Sequence, residues 1–174
     1  MAVLSSNTRR EMEIHHFPIL VYALVPLLAL VLQAWLPRLV TERFAWFDLP
    51  LVVTVYFSLS RRSPIQGAFM GCGLGLFEDA LTHRAIGING VAKTVVGYLA
   101  ASLGVRIEVD NFTVRLLLTF VLSLLSSALY LFVYRLVLGL AIDWNWIFEL
   151  LKAVGNSAIA MVLFPTLDRF KSRD

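Results

Sequence analysis

The chain has 174 residues, 59% of them hydrophobic and only 16% charged, with 15 Lys and Arg against 12 Asp and Glu. A soluble domain carries about 25% charged residues, so this composition excludes a water-facing globule and leaves lipid as the solvent. The formal charge of +3 comes without a basic stripe interleaved with aromatics, which argues against nucleic acid, and a single cysteine, Cys72, makes neither an intrachain disulfide nor a cysteine-ligated metal site.

Residues 1–14 form a polar tail in which Thr8-Arg9-Arg10-Glu11 is not followed by the apolar pattern of a twin-arginine signal. The first apolar run, 17–36, carries no charge. At about 1.5 Å per residue, 20 residues are long enough for a hydrocarbon core of about 30 Å. Pro37-Arg38 marks its end. A second run, 44–59, is interrupted by Asp48 and Pro50 and stops at Arg61-Arg62-Ser63-Pro64. Its brevity suits a re-entrant segment or a tilted, partly broken span. A glycine-rich third run covers 65–81, a fourth 90–105 with Lys93 inside it, and a long fifth 114–140 with Arg135 near its end. Asp143-Trp144-Asn145-Trp146 makes an aromatic interfacial turn, and a sixth run covers 146–164 before Pro165 and a charged tail.

The expected fold is therefore an all-α integral membrane bundle of six transmembrane helices, one polytopic domain over 1–174. Positive charge orients it. With the N-terminus inside, the cytoplasmic ends hold Arg9, Arg10, Arg61, Arg62, Arg106, Arg115, Arg169, Lys171 and Arg173, while the outer loops hold Arg38, Arg43 and Arg84. A five-helix path places Arg61 and Arg62 on the wrong side, so both termini are expected in the cytoplasm.

Charge inside a span costs a few kcal/mol on insertion scales and calls for a reason. Gly67, Gly71, Gly75 and Asp79 recur every four residues on one helix face, a spacing that lets another backbone come close and sets a carboxylate at the end of the contact. Lys93 is the expected partner of Asp79 across antiparallel neighbours, on a helix whose Gly97, Ala101 and Gly104 give it a small-residue face. Glu149, Lys152 and Asn156 fall on one stripe of the last helix, near Arg135. That stripe suits a lined cavity, a docking seam or a self-neutralising pair. Adjacent Glu78 and Asp79 diverge by about 100° on a helix and make a poor acid–base pair. His15, His16 and His83 form no ligand cluster, and no nucleophile elbow, P-loop or dinucleotide fingerprint occurs. Catalysis, a metal and a cofactor are therefore not expected.

The stretch Gly71–Gly90, with Gly75, Asp79, Ile86 and Gly87 in the pattern G-x-x-x-D, turn, L/I-G, and with Tyr98-Leu99 downstream, resembles the signature of the rod shape-determining protein MreD family. The resemblance implies a non-enzymatic component of the bacterial inner membrane that supports rod shape and peptidoglycan synthesis. It implies a fold similar to the substrate-binding S-components of energy-coupling-factor vitamin transporters. It also implies association with MreC and, directly or through it, with MreB, RodA and a class B penicillin-binding protein, in contact with membrane lipid. On this reading the glycine face is either a seam of the bundle or a docking surface. The rival from another class is a vitamin-type transport subunit, whose pocket Asp79, Lys93, Glu149, Lys152 and Asn156 would line.

Overall fold

The computed structural model describes residues 18–39, 47–83, 85–107, 109, 111–139 and 145–170. The polar N-terminal tail with Arg9, Arg10, His15 and His16, the loop residue Arg43, the turn residue Arg84, the Asp143-Trp144 pair and the C-terminal Lys171–Asp174 lie outside them. The described residues form six helices and no strand: α1 (Ile19–Leu39), α2 (Leu49–Arg61), α3 (Pro64–Leu81), α4 (Ile88–Arg106), α5 (Phe112–Leu138) and α6 (Trp146–Asp168).

Local chemistry sets the boundaries. Asp48 accepts the Leu51 N–H at 2.9 Å, so α2 starts at Leu49, five residues into the expected run. Asn111 caps α5 through Thr113 N–H, and Asn145 caps α6 through Ile147 and Phe148 N–H. Gly139, at φ 63°, closes α5 in the left-handed conformation that glycine adopts without strain. Two expected stops do not hold. The first helix runs two residues past Pro37, and α6 passes through Pro165 to Asp168. Pro165 is exposed, so the carbonyl its missing N–H leaves unbonded, that of Met161, lies on the outer face of the helix, and Thr166 Oγ1 donates to the neighbouring Val162 and Leu163 carbonyls.

Three helices, α4, α5 and α6, are long and apolar enough to cross a membrane. Their outward faces, and that of α1, are apolar. Leu28, Val121, Phe132, Leu136, Ile147 and Val162 are all exposed, as they would be against lipid. The chain is a helical membrane protein by this inside-out surface.

The second helix is the odd one. Its 13 residues span only about 20 Å, and every residue from Pro50 to Ser60 is buried. It lies in the middle of the bundle, with α1, α3, α4, α5 and α6 packed around it. Tyr22 of α1 and Tyr56 meet the Phe57 ring edge-on, and Phe164 of α6 packs on Tyr56. Side-chain ties fix directions. Asp48 meets Asn156 and Tyr56 meets Asp168, so α2 and α6 run the same way. Asp48 meets Lys93 and Leu59 meets Gly104, so α4 runs with them. Gln33 of α1 reaches Phe47 and Leu49, Gly67 of α3 faces Gly97, and Arg115 of α5 meets Asp168, so the odd helices run against the even ones.

Candidate functional site

The glycines predicted to allow close approach do so within the chain, between α3 and α4. A Cβ on Gly67 would strike the Gly97 carbonyl, and one on Gly97 would strike the Gly67 carbonyl. A Cβ on Gly71 would overlap the Lys93 carbonyl, and one on Gly75 would lie 2.5 Å from the Asn89 carbonyl oxygen. Gly104 meets Leu59 of α2 at 2.8 Å in the same sense. Of the two readings of this face, the geometry is that of an internal seam. Gly73, on the other side of α3, has nothing within 4 Å.

At the end of the seam lies Asp79, fully buried. Its Oδ2 accepts from Gly87 N–H at 2.9 Å and Asn89 N–H at 3.1 Å, and its Oδ1 accepts from Asn89 Nδ2 at 2.8 Å. The two backbone donors are free N–H groups at the start of α4, where the helix dipole also favours negative charge. Gly87 turns the chain at φ 103°, a conformation reserved for glycine, and this aims its N–H back at the carboxylate. The Gly75, Asp79 and Gly87 pattern thus encodes a clasp: one glycine for contact, one for the turn, and a carboxylate that caps the next helix.

Lys93 does not pair with Asp79. Its ammonium, fully buried, binds Glu78 Oε2 and lies 2.8 Å from Asp48 Oδ1. The reason is angular. Asp79 is drawn toward the N-terminus of α4, so its neighbour Glu78, about 100° round the helix, faces one turn further along α4, where Lys93 sits. Asp48, apparent in the sequence only as an interruption, thereby joins α2 to α3 and α4. Its backbone N–H donates to Asn156 Oδ1 at 2.9 Å, and Asn156 Nδ2 donates to Ser123 Oγ of α5 at 2.7 Å. Gln33 completes the set from α1, donating to Phe47 O and accepting from Leu49 N–H. One continuous polar layer ties all six helices, crossing the start of α2, the end of α3 and the middle of α5 and α6.

Of the other expected polar sites, Asn156 is fully buried in this layer, while Glu149 and Lys152 form a loose pair at 3.9 Å on its edge. Arg135 is exposed in the last turn of α5, apart from this layer. The opposite end of the bundle has a second tie that sequence reasoning missed. Arg115 binds the Val109 carbonyl and Asp168 Oδ2, and Tyr56 donates to Asp168 Oδ1 at 2.9 Å. Among the described residues no group of three or more His, Cys, Asp or Glu is placed to hold a metal ion.

The clasp yields a graded prediction. Asp79→Asn keeps one oxygen for the two backbone donors, and the Asn89 amide can flip to accept from the new NH2, so the loss is about 1 kcal/mol. Asp79→Leu strands three buried donors and should cost at least about 3 kcal/mol. Melting of the purified protein in detergent distinguishes them, and equal losses would mean that charge alone matters.

Neither the curated proteins nor the solved structures contain a match to this chain. A family model does match: that of the rod shape-determining protein MreD, over residues 13–172, which spans the seam, the clasp and both polar ties, and the chain belongs to that family.

Proposed function

We propose that the chain is a non-enzymatic scaffold of the bacterial rod-shape machinery, which binds MreC in the plane of the inner membrane and supports peptidoglycan synthesis by its complex with RodA, a class B penicillin-binding protein and MreB. One observation carries this reading: the buried Asp48, Glu78, Asp79, Lys93, Arg115 and Asn156 are used to tie helix to helix, and the exposed faces of α1, α5 and α6 are largely apolar. Such faces suit association with other membrane helices. The MreD family match supports the role in rod shape.

On this proposal the chain crosses six times with both ends in the cytoplasm, in a fold like that of the vitamin-transporter S-components. The alternating helix directions support six passes. Arg61, Arg62, Arg106, Arg115 and Arg169 gather at one end of the bundle, which the positive-inside rule makes cytoplasmic. The polar layer around Asp48 and Lys93 then lies on the outer side. The short α2 needs no lipid-matched length, because protein surrounds it. Single cysteines in a Cys72→Ser background should react with an impermeant maleimide from outside at His83, and only after permeabilisation at Ser63. The opposite pattern would invert the topology.

Affinity purification in mild detergent, followed by mass spectrometry, tests the role. MreC accompanied by RodA or the penicillin-binding protein is the expected result. An ATPase module with its membrane coupling subunit would instead establish the transport reading.

A further inference from the structure

The polar layer provides a level against which the helices can be measured. Toward the arginine-bearing end, α3 continues from Glu78 to Pro64, α4 from Lys93 to Arg106, α5 from Ser123 to Phe112 and α6 from Asn156 to Asp168. At about 1.5 Å per residue these arms measure about 21, 20, 17 and 18 Å. The bundle ends evenly on that side.

On the other side it does not. There α3 stops at Leu81 and α4 begins at Ile88, about 5 and 8 Å beyond the layer, whereas Tyr134 of α5 and Trp146 of α6 stand about 17 and 15 Å beyond it. Both rims carry residue types that belong at a membrane–water boundary. The low rim is the turn with Thr82 and the exposed His83, followed in sequence by Arg84. The high rim has Tyr134 and the exposed Arg135 and Trp146. The rims differ by roughly 9 Å. They lie on different flanks of α2, since α3 packs on α1, α2 and α4 while α6 packs on α2 and α5.

Two arrangements bring both rims to a boundary. A rigid tilt of the bundle does so only by drawing the far ends of α2 and α4, with Arg62 and Arg106, into hydrocarbon. Local thinning of the bilayer leaves those arginines in place. We propose that the leaflet at the Asp48 end, the outer one under the topology above, dips by roughly 9 Å beside α3 and α4, so that the lipid fitting this flank forms a thinner bilayer than the lipid beside α5 and α6. The proposal rests on the chain's spanning the membrane, and on neither its orientation nor its scaffold role. A reversed maleimide pattern would move the dip to the other leaflet and leave the readings below unchanged.

The test is the depth of nitroxide labels on single cysteines, in a Cys72→Ser background of the full chain reconstituted in phospholipid bilayers. Depth is read from collisions with oxygen against those with a water-soluble nickel chelate. Leu81 of α3 and Phe132 of α5, both exposed, lie about 5 and 14 Å beyond the layer. In a dipped leaflet the two labels should read the same depth. Val105 of α4 and Phe112 of α5, exposed about 18 and 17 Å on the other side of the layer, should also read alike. The exposed Val91 of α4 and Ile147 of α6 repeat the first comparison should a label at Leu81 or Phe132 unfold the chain. A Leu81 label deeper than that at Phe132 by about 9 Å, with the Val105 and Phe112 labels level, means a flat membrane and overturns the proposal. A Val105 label sunk well below that at Phe112 means a tilted bundle and overturns it equally.

Discussion

Lys93→Met should destabilise the folded chain by about 3–5 kcal/mol, the cost of breaking a buried ion pair by removing one partner. Lys93 is the cation between Asp48 and Glu78, and its side chain is fully enclosed. Methionine matches its length but leaves two carboxylates facing each other in the interior. They must then take up protons or separate, and separation pulls α2 from α3 and α4. Neutralising them should restore much of the loss. In Lys93→Met combined with Asp48→Asn and Glu78→Gln no formal charge is left uncompensated, and the new amide oxygen at position 48 can still cap α2 through Leu51 N–H. The measurement is thermal unfolding in detergent for the single and triple variants. A triple variant no more stable than the single would show that the charges were not the issue and that Lys93 acts through packing.

Gly71→Ala should cost about 3 kcal/mol, at the upper end of overpacking penalties, although it adds one methyl group to a helix that ordinarily gains from alanine. The obstacle is backbone. The new Cβ would overlap the Lys93 carbonyl, so α3 and α4 must part along the whole seam, and with them the clasp at Asp79 and the ion cluster at Lys93. Gly73→Ala, two residues away on the same helix, meets nothing within 4 Å and should be neutral or slightly stabilising. Comparing the two melting curves isolates contact from propensity. Equal behaviour of the pair would deny the seam.

A close backbone contact was legible in the sequence because the rule behind it is local: glycines four apart share a face without side chains. That the contact is a seam within the bundle and not a docking surface for a partner was not, since spacing along one helix does not say which helix comes close. The buried Asp79 was legible for the same reason, as the last member of that series. Its partner was not. Whether Asp79 or Glu78 faces Lys93 depends on how α3 is rotated against α4, which spacing along one helix does not specify. Asp48 and Gln33 were harder still. Asp48 reads locally as a break in an apolar run, and only its tertiary position reveals that it caps α2 and binds a lysine from a helix distant in sequence. Gln33 is one polar residue in a long apolar span, and its task is to satisfy the start of a different helix. Arg115 counted only as a topological charge, because its tie to Asp168 requires the start of α5 and the end of α6 to be brought together. The short length of α2 was visible, but its complete burial was not, since an apolar run reads the same against lipid as against protein.

The claim most exposed to test is that partners dock on the apolar outer faces while the polar layer serves the bundle alone. A photoreactive amino acid placed singly at Leu28, Val121, Phe132, Leu136 and Ile147, all exposed, would read this directly in living cells. At least one helix face should capture MreC or another protein of the rod-shape machinery, in a contiguous set of positions. Capture of lipid alone from every face, with no protein adduct at any, would contradict the scaffold account.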